Sequence, residues 1–223
     1  MAVRSGAPQV TARERMLALI RERQGKPAQP RPDEIEAVRS HLAAHPRNPA
    51  PRDVWDPLTR FRERALSLAS TVDEADAMSE VPSRVAAYLA ERGWGSRAVC
   101  WPALATLDWA GCGLEVEARS ARGDDLVGIT GAFCAIAETG TLMTVSGAES
   151  PPSVSLLPET HIAIVACDRV LRSMEDAWAL LRDSGGMPRA ASFISGPSRT
   201  ADIEQTVTLG AHGPYRVHII LVS

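Results

Sequence analysis

The sequence has no cysteine pair at metal-binding spacing. Cys100, Cys112, Cys134 and Cys167 are scattered without CxxC or CxxxC, which argues against an iron–sulfur or structural zinc site and for free thiols in a reducing compartment. No apolar run approaches the roughly 18 to 20 residues that cross a bilayer. The first thirty residues alternate charge with apolar groups and lack a secretory core. Neither sign of charge dominates: 24 basic against 27 acidic residues leave a net charge of -3, so no basic stripe invites nucleic acid. His41, His45, His161, His212 and His218 show no HExxH or paired metal spacing. There is no Walker A loop, no GxGxxG and no Gly-x-Ser-x-Gly elbow. Membrane, secreted, disulfide-rich and collagen-like classes are excluded, and a cytoplasmic globular protein is expected. At 45% apolar and 23% charged over 223 residues, the chain can bury a substantial core.

Two regions read differently. Thr11-Ala12-Arg13-Glu14 has the form of a capping box ahead of Met16, Leu17, Leu19 and Ile20, predicting an amphipathic helix to about Arg23. Gly25 and the prolines at 27, 30 and 32 end it. A second short helix is expected around Ile35, Val38 and Leu42, followed by a connector rich in proline. Residues 1–56 thus read as a helical arm with its connector. Residues 57–223 read as an α/β domain. Leu58, Phe61, Ala65 and Leu68 share one helical face, as do Val85, Ala86, Leu89 and Ala90, and then Met174, Ala177, Trp178 and Leu181. Short β-like runs lie at 98–101, 114–116, 126–129, 192–195 and 217–222. Ile162 to Ala166 is continuously apolar, as a strand buried on both faces requires. The alternation predicts a mainly parallel central sheet flanked by helices. His161 and His218 fall in apolar runs and are expected in the core or sheet.

Three segments can carry chemistry. Gly128 to Phe133 runs on to Glu138-Thr139-Gly140-Thr141, with glycines, hydroxyls and one isolated carboxylate. Exposed N–H groups and threonine hydroxyls of this kind can cradle an anion. The alternative is a tight turn between two strands. Ser195-Gly196-Pro197-Ser198-Arg199-Thr200-Ala201-Asp202 follows a strand, where α/β proteins place ligands. Its hydroxyls and planar guanidinium suit a carboxylate or phosphate; alternatively, Arg199 pairs with Asp202 or Glu204. Gly210-Ala211-His212-Gly213-Pro214 is a turn whose histidine can serve as acid, base or packing residue.

The ordered motifs Ala135-Ile136-Ala137-Glu138-Thr139-Gly140-Thr141, Ser155-Leu156-Leu157-Pro158 with His161-Ile162, Ser195 to Glu204, and Gly210 to Pro214 resemble the lactate utilization protein C family, whose domain is called LUD. The resemblance covers about residues 57 to 222. It implies a fold similar to ribose-5-phosphate isomerases and CoA transferases, and a role in oxidising L-lactate to pyruvate beside iron–sulfur subunits. This agrees with the cysteine and histidine spacings and the missing cofactor motifs, from which no cofactor or metal is expected in this chain itself. Glu138 becomes the candidate catalytic residue. Thr139, Gly140, Thr141, Ser195, Gly196, Ser198, Arg199, Thr200, Asp202 and His212 become candidate contacts for a small carboxylate or phosphate. Three roles are open: an accessory non-redox subunit, an isomerase- or transferase-like enzyme with Glu138 as base or nucleophile, and a small-anion sensor.

Overall fold

A computed structural model of the chain describes residues 10–27, 29–47, 54–200 and 208–223. The chain divides into two compact units, Met1–Arg52 and Asp53–Ser223. The first contains helices α1 (Ala12–Arg23) and α2 (Pro32–Ala44). The capping box closes α1: the Thr11 hydroxyl accepts from the Glu14 N–H at 3.2 Å, and the Glu14 carboxylate accepts from the Thr11 N–H at 2.7 Å. Gly25, at φ +62°, ends it. Neither helix buries a residue, and Met16, Leu19, Ile20, Val38 and Leu42 are exposed.

The second unit opens with α3 (Pro57–Ser67), β1 (Thr71–Ala75), α4 (Val81–Glu91), β2 (Arg97–Cys100), β3 (Glu115–Ala118) and β4 (Val127–Gly131). It continues through β5 (Cys134–Ile136), β6 (Thr141–Val145), α5 (Ser153–Leu156), β7 (Thr160–Ala166), β8 (Val170–Leu171) and α6 (Met174–Asp183). It ends with β9 (Ala191–Ile194), β10 (Arg199–Thr200), β11 (Thr208–Leu209) and β12 (Arg216–Val222). The main sheet has six strands in the order β1-β12-β7-β4-β2-β3, all parallel. A second, mixed sheet has the order β8-β5-β6-β9, and β10 pairs with β11 in a short antiparallel ribbon.

Alternation along the central strands separates the cores. Ile162 and Ile164 of β7, with Ile220 and Val222 of β12, meet Val81, Val85 and Leu89 of α4. Ala163, Val165, Val217, Ile219 and Leu221 meet Phe61 and Ala65 of α3, with Ala135 and Leu142 of the second sheet. Successive strand residues point to opposite faces, so both faces of β7 and β12 are covered, as parallel sheets demand. The second sheet repeats the device. Cys134, Ile136 and Met143 turn outward onto Ala177 and Leu181 of α6. The expected parallel α/β architecture with flanking helices is therefore present. The segment 128–141 is mostly strand: β4, expected at 126–129, then β5 and the start of β6, with the tight turn weighed from sequence lying between β5 and β6.

Helix α3 is set by its ends and two core residues. The Asp56 carboxylate accepts from the Thr59 N–H at 2.8 Å, and Pro57 fills the first helical position. Phe61 and Ala65, one turn apart, are fully buried.

His161 and His218 are both buried in the main sheet. His161 Nε2 lies 2.7 Å from Thr130 Oγ1, and His218 Nδ1 lies 2.8 Å from Thr71 Oγ1. The His218 ring also stacks on Tyr88, with centroids 3.8 Å apart. Burial pushes each imidazole down to about 4, so the folded state favours the neutral ring. Their contribution is complete above the unfolded value of about 6.5 and is lost as pH falls through about 4. Denaturant unfolding should show stability falling between these limits, by roughly 3 kcal/mol at most per histidine. His161→Gln should flatten that pH slope; an unchanged slope would remove His161 as its source.

Candidate functional site

Glu138 lies at the tip of the β5–β6 hairpin, whose pairing runs to Ile136↔Thr141. Its backbone is pinned: the Glu138 N–H donates to the Arg172 carbonyl at 3.0 Å, and Gly140 N–H donates to the Ile136 carbonyl at 2.9 Å. The side chain is half-buried and makes no hydrogen bond or ion pair with any described residue. Beside it runs a chain of hydroxyls. Thr139 Oγ1 lies 2.7 Å from Thr141 Oγ1, which lies 2.7 Å from Ser195 Oγ. Thr141 is buried, whereas Ser195 is exposed at the end of β9. The hairpin and the Ser195 turn are thus adjacent, although 54 residues separate the bonded hydroxyls.

Two glycines explain why these turns sit where they do. Gly140 has φ +69°, and a Cβ there would fall 2.7 Å from the Arg64 carbonyl carbon. Gly196 has φ +76°, and its Cβ would fall 2.5 Å from the Leu68 carbonyl oxygen. Both turns therefore press backbone to backbone on the last turns of α3, where only glycine fits. Arg199 is exposed and donates from Nη2 to the Leu68 carbonyl at 3.5 Å, so its charge lies at the carboxyl end of that helix, where a cation is favoured. Glu138, Thr139, Gly140, Thr141, Ser195, Gly196 and Arg199 are accordingly grouped around the end of α3.

The remaining candidates flank this group. The Ser198 N–H donates to the Pro214 carbonyl at 2.9 Å, and the Ser198 carbonyl accepts from Gly210 N–H at 3.0 Å. Thr200 pairs with Thr208 in the β10–β11 ribbon. His212 is exposed in the turn before β12. Asp202 lies outside the described residues. Sequence reasoning missed Trp55 and Arg172. The Arg172 guanidinium lies 4.2 Å from the Trp55 ring centroid and donates to the Trp55 carbonyl at 3.0 Å, linking the start of the unit to the backbone of Glu138. The only sequence signal was an arginine directly after an apolar pair, which reads as a solvated strand end.

A cleft of about 580 Å³ opens elsewhere, beside Arg97, Glu115, Val127, Thr160 and Arg216, the first residues of five parallel strands. Most of its charges pair internally. Arg119 forks onto Asp125 at 2.7 and 2.9 Å and also meets Glu117 at 2.7 Å. The hydrogen bond to Arg119 lowers the Asp125 carboxyl below its usual range. Among the described residues, no group of three His, Cys, Asp or Glu side chains is placed to hold a metal ion. No helix among them is long and apolar enough to cross a membrane.

The LUD domain family model matches residues 102–222, more than half of the chain. The chain belongs to the LUD domain family. Lactate utilization protein C of Bacillus licheniformis is 34% identical over 130 residues, covering 55% of this chain and 53% of that protein. The protein of the same name from Deinococcus radiodurans is 30% identical over 184 residues, covering 78% and 84%. The fold is similar to the crystal structure of a DUF162 family protein from Deinococcus radiodurans, with a TM-score of 0.54 and 23% identity over 75% of this chain and 96% of that one. The chain spans about half the length of the first curated relatives it matches. Helix α3 precedes the residues matched by the family model, yet it is the surface on which both family turns rest.

Gly140→Ala should expose this dependence. The forced left-handed backbone and the collision with α3 should cost roughly 2–4 kcal/mol, read as a lower midpoint in denaturant. A midpoint equal to the parent's would mean that the hairpin does not rely on this close approach.

Proposed function

We propose that the chain is an accessory, non-redox subunit of a cytoplasmic iron–sulfur system that oxidises L-lactate to pyruvate. It would bind the iron–sulfur subunits and present a small carboxylate or phosphate at the Glu138 hairpin. Kinship with proteins named lactate utilization protein C carries this reading. Two of the four thiols support a non-redox role. Cys100 and Cys134 are buried in different sheets, and desolvation pushes each up to about 11. A cluster ligand or nucleophile needs the thiolate, which these sites disfavour.

A second reading, an isomerase- or transferase-like enzyme, is favoured by one observation: Glu138 is a half-buried carboxylate on a rigid turn, without a partner among the described residues. Such a group is free to act as base or nucleophile.

Reconstitution with the two iron–sulfur proteins, leaving out one component at a time, tests the first reading. Lactate oxidation should vanish without this chain, and the isolated chain should be colourless. Stoichiometric iron, sulfide or flavin in the isolated chain would overturn the non-redox role. Glu138→Gln should lower lactate oxidation at least about tenfold while leaving the melting temperature unchanged. Loss of stability without a specific functional defect would make Glu138 a structural residue.

A further inference from the structure

Helix α3 carries arginine at positions 60, 62 and 64. Arg62 is paired with Glu74 of β1. Arg60 and Arg64 stand one turn apart on another face. Arg60 has a 3.8 Å contact with Glu63, an exposed pair worth little. The Arg64 side chain has no ion pair or hydrogen bond with any described residue. The Nε–H groups of Arg60, Arg62 and Arg64 are all buried without an acceptor, but the Arg62 guanidinium is engaged with Glu74 through Nη2, which leaves Arg60 and Arg64. A third such donor belongs to the same patch. Trp55 Nε1–H is buried and unpaired, and its ring centroid lies 5.9 Å from the Arg60 guanidinium carbon.

A buried donor without an acceptor costs about 1–3 kcal/mol, and native proteins leave few of them. Here all three orphaned groups are N–H donors, two of them on guanidinium cations. The nearby Glu138 carboxylate, tied to the patch through the Arg172 backbone, bonds to none of them. What the patch lacks is an acceptor carrying negative charge. The guanidinium fork matches the oxygens of a carboxylate or phosphate. Gly140 sets the Glu138 hairpin directly against Arg64.

We infer that the Trp55–Arg60–Arg64 face of α3 is a binding site for a small oxyanion, a carboxylate or phosphate group, beside the Glu138 hairpin. Arg199 remains at the carboxyl end of the helix as its cap. The site deepens the reading of a small-anion ligand at the Glu138 hairpin, on which it rests, by naming the residues that would hold it, and it does not require the lactate system.

Calorimetric titration of the purified full chain with inorganic phosphate, pyruvate and L-lactate tests the site and separates phosphate from carboxylate recognition. At least one probe should bind saturably and raise the melting temperature. Arg64→Met should weaken that binding by roughly tenfold. Trp55→Phe, which removes one donor and keeps a ring, should weaken it severalfold. Without anion, Arg64→Met should melt no lower than the parent, because it removes an unsatisfied donor and no bond. If that variant fails to fold, Arg64→Lys and Trp55→Phe decide the matter. The proposal fails if none of the probes binds saturably, or if the folded variants bind as the parent does. Phosphate binding with an inactive reconstituted system would sink the lactate reading and leave the site standing. An active system with no anion binding would do the reverse.

Discussion

Strands β7 and β12 are buried on both faces, and their neighbours are placed by what that burial requires. A parallel pair of this kind needs one apolar layer from α4 and another from α3 with the second sheet. Covering the second face brings Phe61 and Ala65 of α3 against Ala135 and Leu142. The β5–β6 hairpin must then run beside the helix, and the missing side chain at Gly140 lets it approach. The candidate site is a by-product of that packing. Its turns are fixed by core contacts rather than by contacts with one another alone.

How much of this was legible depended on whether a signal was local. The α1 capping box is a four-residue pattern, and the helix begins where it says. Ile162 to Ala166 and Val217 to Val222 are long enough to declare buried strands, and both are. Strand β1 was hidden because Thr71-Val72-Asp73-Glu74-Ala75 is an edge strand with charges along it, a composition that discourages further pairing. Strands β5 and β6 were hidden because the three-residue β5 and its glycine-flanked neighbours look like a loop. The need for glycine at 140 comes from a helix about seventy residues earlier, which no window of local sequence contains.

Of the candidate site, one adjacency was legible. The adjacency of the Glu138 and Ser195 segments was expected, and the Thr141–Ser195 hydrogen bond places them together. Arg60 and Arg64 carried no signal of their own, because arginines on an amphipathic helix normally mark its solvated face. Their buried Nε–H groups without acceptors are shared with the Glu74-paired Arg62, and it is the unpaired Trp55 Nε1–H in the same patch that separates them from that background. The sequence drew attention instead to Arg199, which lies in a recognisable motif but faces a helix carbonyl.

The hydroxyl chain from Thr139 through Thr141 to Ser195 has an arithmetic of its own. Three hydroxyls own three hydrogens, and the two bonds between them use two. Thr141 has a single hydrogen and cannot donate both ways. If it accepted from both sides, its own hydrogen would be left unpaired at a buried oxygen. Two arrangements avoid that cost: all donors point toward Ser195, or all point toward Thr139. The chain therefore has a direction, and its spare hydrogen emerges at one end only. An acceptor arriving at the Ser195 end selects one polarity, and the Thr139 end then presents a lone pair instead of a hydrogen. Two turns far apart in sequence share one binary choice, with no movement of the backbone required to pass it on.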